Sequence, residues 1–226
     1  MERGDRSSGH IIISGTGRAG TTLLVQLFGA LGFDVGFSPE KLADIDPVSH
    51  AGLEHSPVRY WEFPLVVKSP AFSASLRDLL TQRLIKVRSV IVPVRNIKDA
   101  AESRRQVTAK GSKRGALWGT VIPSEQEAIL LGVFHELICT VAEYGLPHVF
   151  IAFPLYVRDP DYAFRQLEPV LSNYGVSGPE FLAAFAKVVR PDLVSDFGFT
   201  RPPPLIRPRK ESAVRMSKKE NDLFQL

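Results

Sequence analysis

One cysteine, Cys139, stands among the 226 residues. A single thiol excludes an internal disulfide framework and a four-cysteine zinc site; within an apolar helical stretch it reads as core filling. No apolar run approaches the roughly 20 residues that cross a bilayer, and no N-terminal stretch joins basic charge to an apolar segment. The expectations are therefore no membrane span and a cytoplasmic location. Internal repeats are lacking. Acidic excess is lacking too: 28 Lys and Arg face 24 Asp and Glu, a net charge of +4, with much of the surplus between residues 201 and 219. That basic stretch has no aromatic interleaving and no recognisable nucleic-acid module, so nucleic acid is not an expected partner. What is present, 44% hydrophobic residues in a chain of this length, suffices for one globular domain spanning 1–226 with a sizeable core.

The segment from Ile11 to Leu24 says most about function. Ile11-Ile12-Ile13 reads as a buried strand, Ser14-Gly15-Thr16-Gly17-Arg18-Ala19-Gly20 as a tight loop, and Thr21-Thr22-Leu23-Leu24 as the start of a helix. Glycines let a backbone turn back with its N–H groups aimed at a ligand, and the N-terminus of the next helix adds partial positive charge. Arg18 contributes a full charge, and Thr21 and Thr22 contribute hydroxyls. The set suits a phosphate or a sulfate. Gly15-x-x-x-x-Gly20-Thr21-Thr22 is nearly a P-loop, with Thr21 where a lysine is expected, which argues against ordinary nucleotide hydrolysis. Gly15-x-Gly17-x-x-Gly20 also matches the dinucleotide fingerprint, with Asp34 near the distance of a ribose-binding acid. None of the five tyrosines, however, begins the Tyr-x-x-x-Lys pair of short-chain reductases.

A second segment decides between these. Val90-Ile91-Val92-Pro93-Val94 reads as a parallel strand that delivers Arg95 at its C-terminal end, where open α/β sheets bind ligands. The helix that follows, Asp99 to Val107, carries Ser103 about two turns on. A guanidinium fork and a hydroxyl so placed suit a second phosphate.

With both segments in view, the chain resembles the PAPS-dependent sulfotransferases of bacterial type. Gly17-Arg18-Ala19-Gly20-Thr21-Thr22 is similar to their 5′-phosphosulfate loop. Arg95-Asn96-Ile97-Lys98-Asp99-Ala100-Ala101-Glu102-Ser103 is similar to their 3′-phosphate element, with Ile97 in place of a proline. The resemblance implies an α/β three-layer sandwich, a central parallel β-sheet flanked by helices as in P-loop proteins. It implies PAPS (3′-phosphoadenylyl sulfate) as donor, PAP as product, no metal, and transfer of a sulfuryl group to a hydroxyl or amine of a small-molecule, carbohydrate or lipid acceptor. Gly17, Arg18, Ala19, Gly20, Thr21 and Thr22 would hold the 5′-phosphate, Arg95 and Ser103 the 3′-phosphate. Arg18 would also stabilise charge on the bridging oxygen, and Lys68, ending the strand Leu65-Val66-Val67, would face the sulfuryl group.

The general base stays open among Glu54, His50 and His55. The segment His50-Ala51-Gly52-Leu53-Glu54-His55 resembles a Gly-x-x-Glu element with its two residues one position closer. Lys68-Ser69-Pro70 puts proline where cytosolic members carry histidine. Trp61, Phe63 and Tyr156 are available to stack on adenine. The family's C-terminal basic pattern is not found, leaving Arg207, Arg209 and Lys210 as candidate substitutes. Two other functions answer to the same residues: a P-loop-type nucleotide kinase, and a PAP- or PAPS-binding protein without transfer activity.

Along the rest of the chain, helices are expected at 21–31, 75–83, 124–144, 162–174 and 179–189, with a strand at 149–153. A further short strand is read at 33–36, and a loop with one short helix at 39–64. Residues 108–123 form a basic, glycine-rich loop suited to be a lid over the acceptor. Polar residues 1–9 and the stretch from about 205 to 226 are expected to be weakly ordered.

Overall fold

The structure, a computed structural model, describes residues 3–199; Arg207, Arg209, Lys210 and the stretch 205–226 lie outside the described residues. Four strands, β1 (His10–Ile13), β2 (Val66–Lys68), β3 (Val87–Val94) and β4 (His148–Ala152), form one sheet in the order β2-β1-β3-β4. Every pairing is parallel. Among the described residues, eight α-helices connect or flank them: α1 (Thr21–Ala30), α2 (Pro39–Ala43), α3 (Phe72–Thr81), α4 (Ile97–Ala109), α5 (Gln126–Glu143), α6 (Leu155–Arg158), α7 (Pro160–Leu171) and α8 (Gly178–Val188).

Side-chain alternation along the strands builds two cores. Ile11 and Ile13 of β1, Val66 of β2, Ile91 of β3 and Val149 and Ile151 of β4 point to one face, which α1, α6, α7 and α8 cover. Ile12, Val67, Val90 and Val92 point to the other, covered by α3 and α5. A period of two with apolar residues on both faces is what a parallel sheet between two helical layers requires. The fold is therefore the expected three-layer α/β sandwich.

Local chemistry sets the element ends. Asn96 caps α4, its side-chain oxygen accepting from the Lys98 amide at 2.9 Å. Asp159 caps α7 in the same way, with Pro160 opening the helix. Three details differ from the sequence reading. Residues 33–36 are not a strand, although Asp34 O accepts from Val66 N at 3.0 Å beside β2. In the polar stretch 1–9, Arg3 pairs with Glu180 of α8 at 2.6 Å and donates to Leu31 O at the end of α1. Cys139 is half-buried rather than in the core, its sulfur 3.4 Å from His135 Nε2 on α5.

Strand order places the site. The chain leaves β1 toward β2 on one side, then returns to lay β3 on the other side of β1. The carboxyl ends of β1 and β3 thus flank a topological switch point, where the connecting loops diverge and leave a crevice. The loop after β1 is Ser14–Gly20; the residue after β3 is Arg95.

Candidate active site

The loop after β1 takes its shape from three residues in the left-handed region. Gly17, Arg18 and Gly20 have φ of 68°, 56° and 77°. Gly20 opens α1 in the left-handed conformation with no side-chain cap, so the first-turn amides of Thr21, Thr22 and Leu23 lie where no intrahelical acceptor exists. Two of the glycines are required by their neighbours. A Cβ on Gly17 would lie 2.5 Å from an Arg104 nitrogen, and one on Gly20 would lie 2.0 Å from the Tyr156 hydroxyl. Gly20→Ala should lower the melting temperature in a thermal melt. The left-handed backbone alone costs about 1–2 kcal/mol, and each kcal/mol is worth roughly 2–4 °C at this chain length. Adding Tyr156→Phe should return part of the loss, because it removes the nearest clashing atom.

The loop and the end of β3 meet. Arg95 Nη1 donates to Arg18 O at 2.6 Å, joining two segments 77 residues apart. Arg95 Nη2 donates to Ser195 O at 2.5 Å, and its guanidinium lies 5.0 Å from the centroid of the Phe153 ring and 5.7 Å from that of Phe197. Arg18 Nε donates to Ser103 Oγ at 3.0 Å, and its Nη1 to Ser49 O at 2.6 Å.

Lys68 ends β2 with 1% of its side chain exposed. Its ammonium donates to Glu54 Oε1 at 2.5 Å, to Gly52 O at 2.7 Å and, at the limit of range, to Thr22 Oγ1 at 3.5 Å. Glu54 is 39% exposed.

These groups line one cavity of about 730 Å³, within the size range of small-ligand sites. Among the described residues, seven lysine and arginine side chains and one carboxylate, that of Glu54, line it. Burial governs their chemistry. It lowers the Arg18 and Lys68 pKa values and pushes those of Arg95 and Arg104 down to about 10. All three arginines stay charged at neutral pH, held where water solvates them poorly and where an arriving anion would offset the desolvation.

Of the residues singled out from the sequence, Gly17, Arg18, Gly20, Thr21, Thr22, His50, Glu54, Lys68 and Arg95 line this cavity. Ala19, Ser103 and His55 do not. Ala19 is buried and its carbonyl accepts from Tyr156 Oη at 3.2 Å. Ser103 is buried, and its hydroxyl accepts from Arg18 Nε. His55 sits behind Lys68: its Nδ1 accepts from the Lys68 amide at 3.1 Å, while its Nε2 is buried without a hydrogen-bond partner among the described residues.

Burial lowers the His55 pKa below its ordinary 6.5, which favours the neutral imidazole in the folded protein. The unfolded chain binds that proton near 6.5 and the folded chain only at lower pH. Stability should therefore fall as pH drops below about 6.5, by up to ~1.4 kcal/mol per pH unit from this group. Melting curves between pH 7.5 and 5.5 should show the decline, and His55→Gln should flatten it.

Three further residues of the site carry no sequence signal of their own. Arg104, 5% exposed, follows Ser103 on α4; its Nη1 donates to Ala116 O at 2.6 Å and its Nη2 to Thr16 O at 2.8 Å. Trp118 places its ring 5.5 Å from that guanidinium. Phe153 stacks on Arg95 and lines the cavity. Of the aromatics weighed for adenine, Trp61 is 64% exposed, Phe63 is buried in the second core, Tyr156 lies under the loop, and none of them lines the cavity. The basic loop read as a lid does reach the cavity, through residues 113–118. It is tied down by the Trp118 amide donating to Gln126 Oε1 at 2.7 Å and the Leu117 amide donating to Thr108 Oγ1 at 2.9 Å.

No protein-family model matches this sequence, and no curated protein matches it at a significant level. Among solved structures, the chain is similar to the sulfotransferase domain from the Synechococcus PCC 7002 olefin synthase, at 14% identity over 91% of this chain and 94% of that one, with a TM-score of 0.46. No helix among the described residues is long and apolar enough to cross a membrane.

Proposed function

We propose that the protein is a PAPS-dependent sulfotransferase that moves a sulfuryl group to a hydroxyl or amine of a small acceptor. One observation carries the reading. Two anion-type sequence segments, 77 residues apart, meet at a single cavity lined by buried cations, with Glu54 as the carboxylate at its wall among the described residues. The donor set fits a doubly phosphorylated nucleotide. Arg95 and Arg18 offer charge-assisted donors, the start of α1 offers uncapped amides, and Phe153 offers an aromatic face beside Arg95.

In this reading Arg18 and the stretch from Gly17 to Thr22 hold the 5′-phosphate, and Arg95 holds the 3′-phosphate. Ser103 positions Arg18 by accepting from its Nε. Bound there, PAPS supplies the sulfuryl group together with a phosphate leaving group. Lys68 keeps positive charge where negative charge shifts during transfer. Glu54, at the cavity wall and oriented by Lys68 Nζ, takes the proton of the acceptor hydroxyl. His50, also at the wall, is the second candidate for that proton.

The test is calorimetric titration of the protein with PAP, followed by incubation with labelled PAPS and a panel of acceptors. Saturable PAP binding and acceptor-dependent release of PAP support the reading. An absence of PAP binding overturns it, and PAP binding with no transfer to any acceptor leaves a nucleotide-binding protein in its place.

A further inference from the structure

We infer that the acceptor is itself an anion, a hydroxyl compound bearing a carboxylate, phosphate or sulfonate, and that Arg104, Lys113 and Arg114 form the subsite that takes this second charge. The inference rests on the sulfotransferase reading and adds the substrate class to it.

The argument begins with unmatched charge. Lys68 is paired with Glu54, and Arg190 with Asp192. The other five cations lining the cavity, Arg18, Arg95, Arg104, Lys113 and Arg114, form no ion pair among the described residues. A PAPS molecule brings about four negative charges. Carboxylates behind the wall also act on Arg18 (Asp46), Arg95 (Asp99 and Asp196) and Arg114 (Asp44), so the surplus over the donor is small and its location matters more than its size.

Position locates the surplus. Arg95 lies toward Phe153 and Ser195, on the side proposed for the nucleotide. Arg104 lies on the other side of the loop, where its Nη2 fills the space beside Gly17 that Pro70 also borders. Its Nε is buried with no acceptor. Only two of its five N–H donors are used, both by backbone carbonyls. Nε has no surface that a ligand could reach, so an arriving anion would meet the remaining N–H donors of Nη1 and Nη2, whose guanidinium lines the cavity.

Arg114 stands at the same end. Its Nη1 would be 3.9 Å from a Cβ on Gly52, the residue whose carbonyl accepts from Lys68 Nζ. Lys113 and Arg114 are exposed on the loop, and their side chains make no hydrogen bond among the described residues. A buried cation with two exposed ones at the mouth can steer an anion inward and then bind it. The group bound lies on the same side as Glu54, so it belongs to the molecule that gives up its proton.

The test uses acceptors matched in everything but charge. Short hydroxy acids and their methyl esters are offered with labelled PAPS to the wild type and to the double variant Lys113→Ala/Arg114→Ala, and PAP affinity is measured for both by calorimetry. We expect the acids to be labelled at least tenfold faster than the esters. The double variant should raise the KM for the acids at least tenfold, with PAP affinity within twofold of wild type. Esters labelled as well as acids, an unmoved KM for the acids, or no acid labelled by a protein that binds PAP would each overturn the inference. Arg104→Lys separates the two sources of an oxyanion. A raised KM for the acids supports the acceptor assignment. A loss confined to the preference for PAPS over PAP gives Arg104 to the donor and overturns it. Failure of the wild type to bind PAP appears in the calorimetry before any acceptor is added, and removes the underlying sulfotransferase reading first.

Discussion

Arg95→Ala should weaken PAP binding by about 1.5–3 kcal/mol, the range for a hydrogen bond to a charged group, or roughly tenfold to 150-fold in Kd. The guanidinium holds a place that a smaller cation cannot fill. Its two outer nitrogens are fixed by Arg18 O and Ser195 O, and the rings of Phe153 and Phe197 lie near it. Arg95→Lys should recover little, because an ammonium lacks the fork that reaches both carbonyls while facing a phosphate. Arg18→Ala should weaken binding by a similar amount, and it also strips Ser103 and Ser49 O of their donor. Calorimetry with PAP measures all three. Unchanged affinity in both alanine variants would refute the assignment of the two cradles.

Glu54→Gln should slow sulfuryl transfer by about 10²–10⁴-fold, the usual contribution of a positioned general base, while PAP affinity stays near wild type. The amide keeps an oxygen for Lys68 Nζ but cannot accept the acceptor's proton at neutral pH. Glu54→Ala is the harsher change. It leaves the buried Lys68 ammonium with Gly52 O and, at 3.5 Å, Thr22 Oγ1. Stranding one partner of a fully buried pair costs about 3–5 kcal/mol; Glu54 is 39% exposed, so the loss should fall below that range. Rate assays with labelled PAPS, set beside thermal melts, distinguish the chemical loss from the structural one. A Glu54→Gln enzyme of wild-type rate would move the base assignment to His50.

Three runs were legible because Ile11–Ile13, Val66–Val67 and Val90–Pro93 are short apolar stretches buried on both faces, whereas the edge strand β4 alternates, with His148 and Phe150 exposed. Helix starts were less legible: the helices read from Asp99 and from residue 162 begin two residues earlier, at Ile97 behind the Asn96 cap and at Pro160 behind the Asp159 cap. The cationic loop and Arg95 were legible because their residue types are unusual at strand ends. Arg104 was not. In sequence it is one of two adjacent arginines on a helix, and only the 100° turn between neighbours sends it under the loop while Arg105 faces Glu127. Ser103 shows the limit of spacing arguments. It lies outside the cavity wall, where its hydroxyl accepts from Arg18, a side chain of a distant loop. Ser195 and Phe153 became visible only through long-range packing.

The cavity wall begins at Gly17 and ends at Ser195, so nearly every layer of the fold contributes to it. A ligand seated there can recognise only the fully assembled chain. Occupancy should then act on the whole cooperative unit, adding about 2.7 kcal/mol to its resistance to heat when the ligand is at 100 times its Kd. For a protein whose acceptor must be found by trial, this makes the melting curve a first detector: any compound that fits will announce itself as a shift to higher temperature, whether or not it reacts.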